Sequence, residues 1–208
     1  RWPGQGPDGR AWHPGAAVKP AAAGAPPREV RLIGGTLRRS KLPVADRPGL
    51  RPTPDRVRET LFNWLGQDLT GWRVLDAFAG SGALGFEAAS RGAAEVQLLE
   101  RDPLLARSLQ ASQARLQATA LRVECADALA WMARSAPARF DLVLLDPPFD
   151  AGLQGAALAA AAPLVPPGGL VYLESPAALA PADTPPELAL ARQGRAGAVH
   201  YHLLRRNT

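Results

Sequence analysis

The stretch Leu142-Val143-Leu144-Leu145-Asp146-Pro147-Pro148-Phe149 decides how this chain is read. Four apolar residues in a row read as a strand buried on both faces, the pattern of a parallel sheet. Two prolines end it, because proline offers no N–H to a sheet ladder and its ring fixes φ. The carbonyl of Asp146 or of Pro147 is then free to accept a hydrogen bond from outside the sheet. The Asp146 carboxylate adds acceptors beside it, and Phe149 adds a face to stack on. Open α/β sheets bind ligands at the carboxyl ends of their strands. A flat ring carrying an exocyclic amine matches all three groups. The plain alternative is an Asp-Pro turn that merely terminates a strand, and the rest of the chain has to decide between the two.

Working outward, strand-then-helix units repeat. Arg73 to Phe78 reads as a strand, then Leu84 to Arg91 as a helix stopped by Gly92. Glu95 to Glu100 is a strand, and Asp102-Pro103 opens a helix with Leu105, Leu109 and Leu116 on one side. Leu121 to Cys125 is a strand, and Asp127 opens a helix carrying Leu129 and Met132. The strand quoted above begins at Phe140. Leu153 to Leu164 is a helix and Leu170 to Glu174 a strand. Glu187 to Ala191 and Val199 to Leu204 are two closely joined strands, hence an antiparallel finish. Such alternation predicts an α/β fold, a mostly parallel sheet with helices on both faces.

Upstream, Thr53-Pro54-Asp55 is a helix start with Thr53 as N-cap and proline at the first position. Val57, Leu61, Trp64 and Leu65 follow on one face, Trp64 as core, and Gly71 closes the element. Glu29 to Ile33 and Thr36 to Leu42 predict a β-hairpin turning at Gly34-Gly35. This hairpin and its sequel carry Arg31, Arg38, Arg39, Lys41, Arg47, Arg51, Arg56 and Arg58, a density that suits phosphate contacts as well as a solvated face. Residues 1–27 are rich in Pro, Gly and Ala with isolated Trp2 and Trp12, and read as a disordered tail. The predicted organisation is therefore a tail over 1–27, a basic N-terminal arm over 28–52 and a globular domain over 53–208.

Composition limits the options. The chain has 208 residues, 47% hydrophobic, enough for one packed domain. A net charge of +5 favours a polyanionic partner, nucleic acid before acidic membrane. The single cysteine, Cys125, excludes an intramolecular disulfide, points to a reducing, cytoplasmic setting and reads as a small buried residue. Three histidines and that cysteine show no metal-ligand spacing, and no metal is expected. His200 and His202 read as structural. The uncharged span Gly155 to Leu173 is broken by Pro163, Pro166, Pro167, Gly168 and Gly169 and is not expected to span a membrane. A monomer is expected.

The first strand runs into Asp76-Ala77-Phe78-Ala79-Gly80-Ser81-Gly82-Ala83-Leu84-Gly85. Gly80, Gly82 and Gly85 form a turn that lets backbone lie against a ligand and opens a helix. By itself this is a weak signal. Glu100 ends the next strand at about the spacing where a ribose hydroxyl pair is held. Asp127 follows the third, though it also suits a plain helix cap, and Asp146 ends the fourth. Four strand tips on one edge of one sheet are thus acidic. A pyrophosphate cofactor such as NAD would be repelled there. S-adenosylmethionine, with its sulfonium, ammonium, ribose and adenine, would not.

The order Asp76-x-Phe-x-Gly-x-Gly, Glu100, Asp127, Asp146-Pro-Pro-Phe resembles class I S-adenosylmethionine-dependent methyltransferases that act on an exocyclic amine. With Val30-Arg-Leu-Ile-Gly-Gly and Leu50-Arg-Pro-Thr-Pro-Asp-Arg-Val-Arg-Glu-Thr-Leu-Phe-Asn-Trp-Leu65, the chain is similar to the bacterial RsmD family of 16S rRNA guanine-N2 methyltransferases, from about Val30 onward. The resemblance implies a Rossmann-like seven-stranded sheet and S-adenosyl-L-methionine held by Asp76, Phe78, Ala79, Gly80, Gly82, Glu100, Arg101, Asp127 and Ala128. It also implies catalysis by Asp146, Pro147 and Phe149 on a guanine of the 30S ribosomal subunit. Arg38, Arg39, Lys41, Arg51 and Arg56 are the candidates for RNA contact. A DNA adenine-N6 methyltransferase shares the Asp-Pro-Pro-aromatic block but usually carries a target-reading domain with no counterpart here. A glutamine-N5 protein methyltransferase generally has Asn where Asp146 stands. A non-catalytic RNA-binding assembly factor would not need intact acids and glycines.

Overall fold

The computed structural model describes residues 28–48 and 50–208, so the expectation for residues 1–27 lies outside the described residues. The chain runs β1 (Arg28–Arg31), β2 (Lys41–Val44), α1 (Asp55–Trp64), β3 (Arg73–Asp76), α2 (Ala83–Ser90), β4 (Glu95–Glu100), α3 (Pro103–Arg115), β5 (Leu121–Cys125), α4 (Ala128–Ala133), β6 (Leu142–Leu145), α5 (Gln154–Ala161), β7 (Leu170–Ser175), β8 (Leu188–Ala196) and β9 (Val199–Arg206). Seven strands form one sheet in the order β5-β4-β3-β6-β7-β9-β8, and β1 pairs with β2 apart from it. β5, β4, β3, β6 and β7 are parallel, while β9 runs antiparallel to β7 and to β8. Strand order reverses between β3 and β6, and that switch point is where such sheets open a ligand crevice.

The apolar strands are buried on both faces. Val74, Val96, Leu98, Leu142, Leu144 and Tyr172 join one core with α1, α2, α3 and the hairpin. Leu75, Leu99, Val143, Leu145, Val171 and Leu173 join the other with α4 and α5. The period of two that sorts these residues gives the acids at the tips their direction too. Asp76, Glu100, Asp146 and Glu174 continue the parity of the first set, so all four belong to the α1–α2 side of the sheet. Burying each leucine of this kind is worth roughly 1.5–3 kcal/mol, which holds the tips rigidly.

Several expectations need correction. The hairpin forms, but its strands are shorter and its connection longer than a Gly34-Gly35 turn; Arg28 to Arg31 pair with Val44 to Lys41. Nor is it a free arm, because Val30, Leu32, Leu42 and Val44 are buried in the first core. Thr53 is not the N-cap of α1. Pro54 occupies that place without a side-chain bond, and the Thr53 hydroxyl turns inward to Glu174 instead. The helix ends at Trp64, well before Gly71, and Gly66 and Gln67 take positive φ just after it. Trp64 is half-buried, with its ring 5.3 Å from that of Tyr201.

Arg58 is not on a solvated face. It is fully buried, bonded to Glu87 at 3.3 Å, to Asp55 and to the Arg31 carbonyl at 3.1 Å. Glu87 also accepts from Ile33 N at 3.0 Å, Gly34 N at 2.8 Å and Arg91 Nε at 3.0 Å. This ion cluster fastens the hairpin to α1 and α2. Cys125 is exposed rather than buried. His202 is structural, as expected: its ring meets the Leu173 carbonyl and accepts from Leu179 N. Among the described residues, no helix is long and apolar enough to cross a membrane.

Candidate active site at the strand tips

Asp76 ends β3 and is 1% exposed. Its Oδ2 accepts from Gly85 N at 2.9 Å, so the acid grips the first turn of α2. Gly82 stands before that helix at φ 82°, and a Cβ there would lie 2.6 Å from Leu109 and 2.8 Å from Phe86. Only glycine satisfies both the left-handed backbone and the contact. Glu100, at the tip of β4, accepts from Gly80 N at 3.0 Å and from Asp102 N at 2.8 Å. It thereby ties the glycine turn to the start of α3, and each oxygen keeps a further lone pair for a ligand. Asp102 caps α3 through Leu104 N, and Asp127 caps α4 through Ala130 N at 2.9 Å. Asp127 is exposed and Ala128 buried behind it, while Arg101 is exposed beside the rim. Phe78 is half-buried against the second core, and Ala79 is buried with its N–H donated to the Leu99 carbonyl. Leu50 reaches over the glycine turn, 3.1 Å from where a Gly80 Cβ would stand, and Arg47 approaches Asp102 at 3.7 Å.

Asp146 follows β6 at the switch point, with Pro147 buried and Phe149 half-buried in a short turn of 3₁₀-helix. The sequence expectation for this trio had no counterpart for its neighbour. Leu145 pairs with Leu173, so Glu174 is the next residue along on the adjacent strand, 3% exposed. Its Oε1 accepts from the Thr53 hydroxyl at 2.9 Å and the Tyr172 hydroxyl at 3.0 Å. The signal that marks Asp146, an acid closing a parallel strand, also marks Glu174. Burial and the facing Glu174 push Asp146 well above the usual carboxylate range, and burial likewise raises Glu174. Asp76 is pushed up to about 7, chiefly by burial. Among the described residues none of these acids is ion-paired. An unneutralised carboxylate cluster beside a glycine turn suits a cationic ligand, and it suits the donor hydrogens of an amine.

The predicted RNA contacts do not gather in one place. Arg51 and Arg56 are exposed, flanking Thr53 and so close to the rim. Arg38 and Arg39 are exposed in the hairpin connection, whose Thr36 N bonds the Ser90 carbonyl at the far end of α2. Eight helical residues, about 12 Å, separate that point from the rim. Lys41 is paired with Glu29 at 2.9 Å.

The parallel sheet, the switch-point crevice and the glycine turn define a class I methyltransferase fold. A family model described as "Conserved hypothetical protein 95" matches residues 30–205. The chain is 42% identical over 184 residues to "Ribosomal RNA small subunit methyltransferase D" of Escherichia coli K12, covering 86% of this chain and 90% of that one. It is 40% identical to the protein of the same name from Haemophilus influenzae, covering 84% and 93%. The solved structure of the Escherichia coli protein yhhF superposes with a TM-score of 0.77 at 38% identity, over 86% of this chain and 99% of that one. The chain belongs to the ribosomal RNA small subunit methyltransferase D family, and is an enzyme of the methyltransferase class.

Proposed function

We propose that this enzyme transfers a methyl group from S-adenosyl-L-methionine to the exocyclic N2 of a guanine in 16S rRNA, with the 30S subunit as substrate. The observation that carries the reading is the group at the switch point: an unpaired acid, a proline carbonyl and an aromatic face, next to a glycine turn held by two further acids. Asp76 and Glu100 would hold the donor's cationic end and ribose, beside Phe78, Ala79, Gly80 and Gly82, with Asp127, Ala128 and Arg101 along the adenine side. When bound, that cofactor supplies an electrophilic methyl on a sulfonium sulfur.

The remaining work falls to this chain's own residues. Guanine N2 is a poor nucleophile because its lone pair is conjugated into the ring. Asp146 and the Pro147 carbonyl accept its two hydrogens, which orients the lone pair and favours a more pyramidal nitrogen. Phe149 stacks on the base, worth about 1–3 kcal/mol. Holding two reactants in line supplies roughly 7–11 kcal/mol, so no covalent step is required. The base must leave its stack at a cost of a few kcal/mol, and Arg51 and Arg56 are placed to hold the flanking phosphates. The same reading takes the enzyme as a monomer and gives no step to a metal.

The test is transfer of labelled methyl to 30S particles from a strain lacking the gene, followed by mapping of the modified base. Label on a guanine N2 of 16S rRNA supports the reading. Label on duplex DNA adenine, or on no nucleic acid, overturns it.

A further inference from the structure

The strand tips hold one acid more than the reaction described above uses. The geometry points to Glu174 as a positioning residue for methyl transfer, which shares a single proton with Asp146 and so sets the state in which Asp146 meets the guanine amine. This rests on the reading of Asp146 given above.

Three observations support it. The two residues are successive neighbours on adjacent parallel strands, beyond the pair Leu145 and Leu173, and point to the same side of the sheet. Glu174 is 3% exposed and carries no cation, yet its Oε1 is aimed by two buried hydroxyls, those of Thr53 and Tyr172. Unlike the buried Glu87, which meets two arginines, Glu174 has hydroxyl donors and no cation among the described residues, so its charge is oriented but not compensated. Finally, Thr53 is drawn off its expected helix-capping role to make this contact.

A buried carboxylate and a half-buried one side by side do not both ionise readily, so the pair keeps one proton and a net charge of one minus. Burial raises both groups, and the hydroxyls of Thr53 and Tyr172 stabilise the charge on Glu174. The other titratable groups facing the pair are Asp76 from β3, Tyr172 on β7 and Tyr201, which sits across from Glu174 on β9. Methyl transfer forms the N2–carbon bond and breaks the carbon–sulfur bond, whose electrons stay on sulfur. The positive charge passes to N2, which then sheds one proton. The Asp146–Glu174 pair takes that proton and becomes neutral, then returns it to solvent. In the free enzyme the donors on Glu174 favour the proton on Asp146; the hydrogens of the guanine amine draw it across to Glu174, so that Asp146 meets the amine as an acceptor.

The test uses the full chain in single-turnover transfer to 30S particles, across a pH series, with cofactor affinity measured by titration on the same preparations. Glu174→Gln keeps the shape and the oxygen that accepts from Thr53 and Tyr172, but cannot share or take up the proton. The transfer rate is expected to fall about 10- to 100-fold, with cofactor affinity held within about twofold. The acid limb of its pH–rate profile should move to lower pH, because Asp146 loses the neighbour that raises it. Thr53→Val and Tyr172→Phe remove donors that stabilise the anionic pair, and should move the same limb the opposite way, to higher pH. Those two variants carry the test if Glu174→Gln does not fold. An acid limb that stays put in all three overturns the inference, even if the rate drops. Retained transfer in Asp146→Asn would instead overturn the reading of Asp146 itself, so the two failures are distinguishable.

Discussion

Two buried acidic clusters lie on the same side of this sheet, one at each end of α2, and they are built on opposite terms. Glu87, near the helix's C-terminal end, is met by Arg58, Arg91 and two backbone N–H groups. Each of its oxygens accepts two hydrogen bonds, and the cluster adds an ionic tie to three elements that already share the first core. At the other end, Asp76 and Glu174 are buried beside the half-buried Asp146, and among the described residues hydroxyls and backbone N–H groups are their only hydrogen-bond donors. Their charge is left uncompensated, and their proton affinity rises. Fold stability gains nothing from such an arrangement. A ligand that brings its own positive charge and donor hydrogens does. The first cluster reads as architecture and the second as a site.

The contrast can be broken in order of expected effect. Glu87→Ala should cost about 3–5 kcal/mol of unfolding free energy, since it removes the buried partner of Arg58 and Arg91 and leaves Arg58 with the exposed Asp55 as its one remaining carboxylate among the described residues. Denaturant titration checks this, and cofactor affinity of the folded fraction should stay near normal. Glu100→Ala should weaken cofactor affinity about 10- to 100-fold, read by calorimetry, because it removes a charged acceptor and frees the glycine turn. Wild-type affinity would move the ribose contact elsewhere.

Asp76 gives a pH test with a definite sign. Its carboxyl is raised from 3.8 to about 7, so a cationic ligand must displace its proton. Cofactor affinity should therefore climb as pH rises from about 6 to 8, by at most about tenfold per unit for one proton, and Asp76→Asn should flatten that slope. Its effect on folding runs the other way. Between about 4 and 7 the native state holds a proton the unfolded chain has lost, so its contribution to stability falls as pH rises. The smallest expected effect is at the rim. Arg51→Ala and Arg56→Ala should each lower the salt slope of 30S binding by about 0.7–0.9, whereas Arg38→Ala, one helix length away, should change it less.

Much of the site was legible because it follows from strand ends. The bounds expected for β4 and β5 coincide with those found, and Asp76, Glu100 and Asp146 stand where the alternation places them. What was not legible turned on partners distant in sequence. Thr53 has every local mark of an N-cap, yet a contact 121 residues away outweighs that preference. Arg58 was counted with its basic neighbours, although it lies four and seven residues before Phe62 and Leu65, on the buried stripe of α1. Glu174 was read as the end of a strand and not as a fifth acid of the rim, because only the sheet order brings β7 beside β6.

The most direct measurement is made on Asp146→Asn: the rate of methyl transfer to 30S particles and the cofactor dissociation constant, from one preparation. Transfer should fall by about 10²- to 10⁴-fold, with affinity within about twofold of the parent protein. Transfer near the parent rate, or an equal loss of both quantities, would contradict the assignment of that carboxylate to the amine.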